Sequence, residues 1–339
     1  MRYSLLLSVF VLIPHGCGRG APVAKPGWQW SLDSVRAVVH AVRAGRSLRP
    51  ARWPGGARVA VLLSFDVDNE TISLSSGKPT VAALSRGEYG ARAGLRRVTD
   101  LLDRHQIPAT FFIPAVSLIL APEMAALIKR SGRHEFGVHG WIHENNATLT
   151  SEVERELVQR AVDTLSHFTG ARPVGYRAPS WDMSPNTLRI IRDLGFLYDS
   201  SLMADDDPYE LLADGRPTGM VELPVGWILD DASLLEPRGN SYSPPGDVLQ
   251  VWMDEFDKAY EEGGMFLLTL HPQVIGHRSR IMVLERLVDY IRRKPGVWFA
   301  THRAAAEYVN PGLAVIPEST RSRARIARNR HWDNQGPGL

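Results

Sequence analysis

Cysteine is nearly missing from this chain: among 339 residues there is one, Cys17. A lone thiol cannot close an internal disulfide, and it excludes a structural zinc site built from several cysteines. An excess of either charge is also missing. Thirty-nine Lys and Arg face 37 Asp and Glu, a net charge of +2. That balance argues against a nucleic-acid partner, whose footprint would be strongly basic. No apolar run is long enough to span a bilayer. No GxGxxG follows the first strand-like segment, which weakens a dinucleotide-binding reading. Internal repeats are absent too.

What is present begins with a leader. Arg2 precedes the apolar run 5–13, which has the length of a signal-peptide core, and Cys17 stands near its end. Residues 1–20 are expected to be a signal peptide or lipoprotein leader, exporting the protein to the cell envelope or beyond; Cys17 is the residue that the lipoprotein alternative would lipidate. Residues 21–57, rich in Gly, Pro, Arg and Ala, read as an approach segment with a short helix near 32–43. Residues 311–339 read as a basic, disordered tail carrying Arg321, Arg323, Arg325, Arg328 and Arg330.

Between them, strand and helix signals alternate. RVAVLLSF (58–65) is a continuous apolar run of strand length, the mark of a strand buried on both faces. Leu95, Val98, Leu101 and Leu102 follow at helical spacing, and ATFFIP (109–114) and EFGVH (135–139) read as strands. Ser151-Glu152-Val153-Glu154 reads as a capping box opening a helix that turns Val153, Leu157, Ala161, Leu165 and Phe168 inward. VGYRAP, VELPV, MFLLTL and VWFA supply further strands, with helices near 185–194, 247–262 and 279–293. Such alternation implies parallel strands with crossover helices, and polar residues just past the strand ends favour a (β/α) barrel over an open sheet.

Four strand-end segments carry chemistry. Asp66 and Asp68 lie two apart in extended backbone and project to one face, where two like charges need a cation or a shared proton. One can ligate metal while the other acts as base; spacing alone leaves open which does which. His139 and His143, four apart around Gly140, suit a shared metal ion. Arg177 can hold a carboxylate in its ionised form, and His271 can donate a proton.

In order and spacing, FDVD, HGWIH, RAPSW and LLTLH resemble the motifs of the polysaccharide deacetylase family, carbohydrate esterase family four. The resemblance covers roughly residues 58–305 and implies a distorted (β/α) barrel, with the catalytic domain at 58–310. Phe-Asp-Val-Asp in place of the more frequent Phe-Asp-Asp is similar to the branch holding peptidoglycan-deacetylase-like and allantoinase-like enzymes. By this likeness Asp66 is the catalytic base and Asp68, His139 and His143 are metal ligands. Arg177 orients the base, and His271 is the catalytic acid. The implied cofactor is one divalent metal, zinc first, with cobalt, nickel or manganese as alternatives. The implied reaction is hydrolysis of a carbon–nitrogen bond, foremost N-deacetylation of an N-acetylated saccharide such as peptidoglycan. Small cyclic amides or ureides are the alternative. Trp181 and Trp227 are expected as walls for a sugar ring, Asp231 beside Asp230 as a substrate contact, and the stretch 203–219 as a lid.

Two other classes share part of the pattern. A two-histidine, one-carboxylate triad also serves non-haem iron oxygenases, usually on all-β scaffolds. A non-catalytic wall-binding module would keep the aromatics but need neither Asp66 nor His271.

Overall fold

Eight consecutive buried residues, Val59–Asp66, form the strand about which the chain is arranged. They include no Gly or Pro, and β-branched and large apolar side chains on both faces suit a strand covered from both sides. The computed structural model describes residues 25–236 and 242–312; the expected leader with Cys17 and the arginine-rich tail lie outside the described residues.

The described residues 25–39 belong to the first of two compact units. Its described part holds a 3-10 turn, Gly27–Gln29, and most of the helix Leu32–Ala41. The larger unit contains one ten-stranded sheet. Its strands are β1 (Val42–Ser47), β2 (Val59–Asp66), β3 (Thr110–Ile113), β4 (Glu135–Val138), β5 (Gly175–Tyr176), β6 (Tyr198–Asp199), β7 (Tyr209–Ala213), β8 (Arg216–Glu222), β9 (Met265–Leu270) and β10 (Val297–Ala300). β9 runs along one edge of β2, while β10 and β3 share the other, pairing with its first and last residues respectively. From β3 the sheet continues through β4, β5, β6 and β8, all parallel. A bridge between Asp230 and Thr269 brings the chain beyond β8 back to β9. The sheet thus curls into a distorted barrel, as expected from the alternation of elements.

The far end departs from that pattern. β7 and β8 form an antiparallel hairpin, and β1 pairs antiparallel with β7. The stretch 203–219, expected as a lid, instead supplies β7 and the first residues of β8. β1 arises from the approach segment, where VRAGRS offers no apolar alternation to announce a strand.

Side-chain alternation along the strands sorts the core. Val59, Val61, Leu63 and Phe65 pack in one cluster with Leu95, Leu101, Val162, Phe256 and Leu287 from the surrounding helices. Ala60 and Leu62 fall in a second cluster with Phe112, Tyr198, Val221, Met265 and Leu267, inside the curl. The same parity turns Ser64 and Asp66 inward with Ala60 and Leu62. The helix expected to begin at Ser151 spans Ser151–Thr169, but Thr150 is its N-cap, accepting from the Val153 backbone N–H. Val153, expected inward, faces outward at 43% exposure, while Glu154 and Val158 are buried.

Candidate active site

The strand parity that carries Asp66 inward also carries Asp68, His139 and His271 to the interior end of the barrel. Asp66 closes β2, and Asp68 follows in a turn tied by its carbonyl oxygen, which accepts from the Thr71 N–H at 3.0 Å and the Ser117 hydroxyl at 2.8 Å. His139 directly follows β4 and His271 directly follows β9. A π-helical segment, Gly90–Gly94, sits against the turn after His271. A Cβ on Gly94 would lie 2.0 Å from the Pro272 carbonyl oxygen, so only glycine permits this approach.

Asp68, His139 and His143 place one potential ligand atom each within 4.8 Å of one another. The ring N–H at His139 Nδ1 donates to the Arg177 carbonyl oxygen at 2.9 Å. A carbonyl can only accept, so Nε2 is left with its lone pair, 3.5 Å from Asp68 Oδ1. That oxygen is buried and meets no hydrogen-bond donor among the described residues. Burial holds His139 below the ordinary histidine pKa and His143 down to about 4, so both rings are neutral. Burial likewise lifts Asp68 above the usual carboxylate range, outweighing the attraction of His271 and His139. A bare imidazole nitrogen on His139, an unpartnered carboxylate oxygen on Asp68, both buried, and the neutral, half-buried ring of His143 beside them fit a divalent cation.

The loop between the histidines is held by a residue the sequence reading passed over. Glu144 accepts from the Trp141 N–H at 2.9 and 3.0 Å and from the Ile142 N–H at 2.7 Å. Gly140 has φ +74°, and a Cβ there would meet Pro179 Cγ at 2.8 Å. His143 itself lies at φ 61°, backbone that costs a non-glycine residue energy and persists only where its surroundings impose it.

Asp66 is a different kind of carboxylate. Its Oδ1 accepts from Arg177 Nη1 at 2.7 Å, and both side chains are almost wholly buried. Burial opposes its charge, but the Arg177 guanidinium beside it prevails, and Asp66 stays below the usual range. Arg177 spends every other donor on the barrel interior: Nε on the Ser200 carbonyl, Nη1 also on Ser64 Oγ, Nη2 on Ser200 Oγ, with Phe112 against its face. Nη2 also lies 3.4 Å from His302 Nε2, a buried ring held neutral by its burial and by Arg177.

His271 is the cationic member. Its Nδ1 and its backbone N–H both face Asp231, at 2.7 and 3.0 Å, while Nε2 lies 3.6 Å from Asp68 Oδ2. Burial opposes its charge, but Asp231, Asp230 and Asp68 prevail and raise its pKa well above the ordinary value. The expectation that Asp231 contacts substrate is therefore corrected: it is fully buried, with both oxygens turned to His271. Asp230, Asp231 and His271 also cluster closely enough to suggest a cation site. Their own hydrogen bonds occupy them, since Asp230 caps the helix Asp231–Leu235 through Ala232 N–H and Ser233 Oγ.

Trp181 and Trp227 lie together, ring centroids 4.4 Å apart. Trp181 is buried and Trp227 is 46% exposed, so Trp227 is the face a ligand could reach. Ser180 and Trp181 both sit at φ 56°, a second strained segment at this end of the barrel. The residues missed by sequence reading are Glu144, Ser200 and His302. An acid directly after HxxxH was the one signal available.

The polysaccharide deacetylase family profile matches residues 85–198, the span that holds His139, His143 and Arg177. A peptidoglycan deacetylase of Helicobacter pylori is 30% identical over 280 residues, 73% of this chain and 95% of the relative. A solved Mycobacterium smegmatis structure assigned to the polysaccharide deacetylases superposes with a TM-score of 0.72 at 32% identity, covering 88% of this chain and all of the other. The allantoinase Puue superposes with a TM-score of 0.67 at 27% identity, over 76% of this chain and 93% of its own.

Proposed function

The chain belongs to the polysaccharide deacetylase family, and from that premise we propose that it removes acetyl groups from the amino-sugar nitrogens of peptidoglycan or a related glycan with one zinc ion. It is a hydrolase of amide bonds. The observation carrying the proposal is the buried, unpartnered Asp68 Oδ1 beside the bare Nε2 of His139, with Arg177-bound Asp66 and Asp231-bound His271 in the same pocket.

Asp68, His139 and His143 would hold the ion, whose bound form supplies Lewis acidity toward the amide carbonyl and acidifies a water molecule. Nitrogen and oxygen ligands of this kind suit zinc, and metal analysis separates it from cobalt, nickel or manganese. Asp66, kept ionised by Arg177, accepts a proton from the attacking water. His271 enters as an imidazolium and gives its Nε2 proton to the departing nitrogen, which therefore leaves as an amine rather than an anion. Asp231 keeps that ring charged and aimed. The exposed face of Trp227 offers apolar area for a sugar ring.

Similarity to an allantoinase supports a second reading, hydrolysis of cyclic amides or ureides. Ring substrates need an enclosed pocket, and the stretch 203–219 is committed to the sheet rather than to covering one. The deciding experiment runs zinc-loaded protein side by side on N-acetylglucosamine oligomers, on peptidoglycan, and on allantoin or hydantoin. Acetate release without ring opening is expected, and ring opening alone would overturn the substrate assignment.

Export belongs to the same reading: Arg2, the run 5–13 and Cys17 suit a protein that meets cell-wall glycan. In a bacterial host the protein should leave the cytoplasm with its leader removed. Met1 retained on cytosolic protein would refute export, and membrane retention surviving Cys17→Ser would refute lipidation. No described helix is long and apolar enough to cross a membrane.

A further inference from the structure

Behind the sheet lies a pair of acids that the chemistry above does not use. Asp199 and Glu222 are register partners on the parallel strands β6 and β8. Tyr198, Val221 and Leu223 pack in the barrel interior, so alternation turns Asp199 and Glu222 to the opposite face. Both are fully buried. Their carboxyl groups converge on one backbone N–H, that of Ser201, which lies 3.0 Å from Asp199 Oδ2 and 2.9 Å from Glu222 Oε1, and no salt bridge reaches either acid among the described residues.

The surrounding donors fix where a proton can sit. Asp199 accepts at both oxygens, from the Ser201 hydroxyl at Oδ1 and the Ser201 N–H at Oδ2, each at 3.0 Å. Glu222 Oε1 accepts two backbone N–H groups, from Ser201 and Leu202, each at 2.9 Å. Glu222 Oε2 meets no donor among the described residues, so it is the oxygen left to carry a proton and donate it to Asp199. Burial pushes both acids up, Asp199 to about 6 and Glu222 further because it faces the Asp199 charge.

This pair grips the segment that grips Arg177. Ser201 Oγ accepts from the Ala178 N–H at 2.8 Å. Ser200 must donate its hydroxyl to the Leu223 carbonyl, since a carbonyl cannot donate, and so presents a lone pair to Arg177 Nη2. The Ser200 carbonyl accepts from Arg177 Nε at 2.8 Å. Resting on the function proposed above, we infer that Asp199 and Glu222 share one proton and, as a singly charged pair, act as positioning residues that set Arg177, and through it the base Asp66, from the far face of the sheet.

The hydrogen-bond pattern makes the two acids unequal under isosteric substitution. Glutamine at 222 keeps one acceptor and supplies a permanent donor, reproducing the protonated acid. Asparagine at 199 replaces a needed acceptor with a donor facing donors. With zinc content matched across variants, Asp199→Asn and Glu222→Ala should lower kcat on acetylated oligomers about ten- to a hundredfold with KM within about twofold. Glu222→Gln should recover most of that loss. Infrared difference spectra between wild type and Glu222→Gln at neutral pH should show a protonated carboxyl band in wild type alone, whatever the substrate. Glu222→Gln falling as far as Asp199→Asn, wild-type kcat in zinc-loaded Asp199→Asn, or a missing band would each overturn the inference. A wild-type protein that shows the band but releases no acetate would overturn the proposed function and leave the shared proton standing.

Discussion

Replacing Asp231 with asparagine tests the assignment of His271 as acid without touching a group that contacts substrate. The carboxylate receives both the ring Nδ1–H and the backbone N–H of His271. An asparagine of the same shape either turns its amide donor to Nδ1 or keeps its oxygen there and turns the donor to the backbone N–H, and in both cases the negative charge beside the ring is gone. That favours the neutral ring, which still carries hydrogen at Nε2 yet is a far weaker acid. A hydrogen bond to a charged group contributes about 1.5–3 kcal/mol, so its loss lowers the pKa of the imidazolium. General-acid catalysis contributes about 10²–10⁴-fold, and kcat on an N-acetylated oligomer should fall by at least the lower figure, about a hundredfold. The assay pairs that amide with an activated aryl acetate, whose phenolate leaves without a proton and should lose no more than about threefold. Turnover requires charged His271 and declines as pH rises through its pKa; Asp231→Asn lowers that pKa, so the decline should begin at lower pH. Equal losses on amide and aryl ester, or an unmoved alkaline limb, would refute the reasoning.

Asp66→Asn should retain stoichiometric zinc while losing most turnover, whereas Asp68→Asn should weaken zinc binding itself; equal metal content with only Asp68→Asn inactive would reverse the two roles. Gly140→Ala places a Cβ at φ +74° and 2.8 Å from Pro179, costing about 1 kcal/mol or more, and should loosen metal binding measured by chelator competition. Trp227→Ala should raise KM for oligomers about fivefold with kcat unchanged, as expected for a wall that binds ground and transition states alike. His134 is buried with neither ring nitrogen hydrogen-bonded, and burial holds it down to about 4. Its unfolded form takes up a proton first as pH falls, so roughly 3 kcal/mol of stability present above pH 6.5 is lost by about pH 4. His134→Leu should flatten urea-unfolding stability across that window; an unchanged slope would show that His134 is not responsible.

The catalytic end of this fold was legible because strand parity and strand ends are local properties. VAVLLSFD reads as a doubly covered strand without knowledge of its neighbours, and the two-residue period places Asp66 and Asp68 on one face. His139 and His271 stand one residue beyond their strands and are found the same way. What escaped depends on residues far apart in the chain. Asp231 is read as a substrate contact until His271, 40 residues on, is seen against it. Ser200 and His302 acquire meaning only through Arg177. β1 is a strand because β7 presents an edge to it, and its own residues, including Gly45 and two arginines, carry no pattern that says so.

The placement of β2 has a consequence for the order in which this chain can be made. Val59–Asp66 lies early in the chain, yet it pairs along one edge with Met265–Leu270 and along part of the other with Val297–Ala300. A nascent chain stalled before residue 265 therefore carries its most hydrophobic strand with one edge wholly unpaired and the other covered only where β3 reaches it. Pairings this distant form slowly, and an uncovered apolar strand edge is a template for aggregation. C-terminal truncations that remove β9 or β10 should accordingly go to inclusion bodies rather than yield a smaller folded enzyme. Synthesis in vivo must keep β2 shielded, by chaperone or by vectorial delivery, until nearly the whole barrel is available.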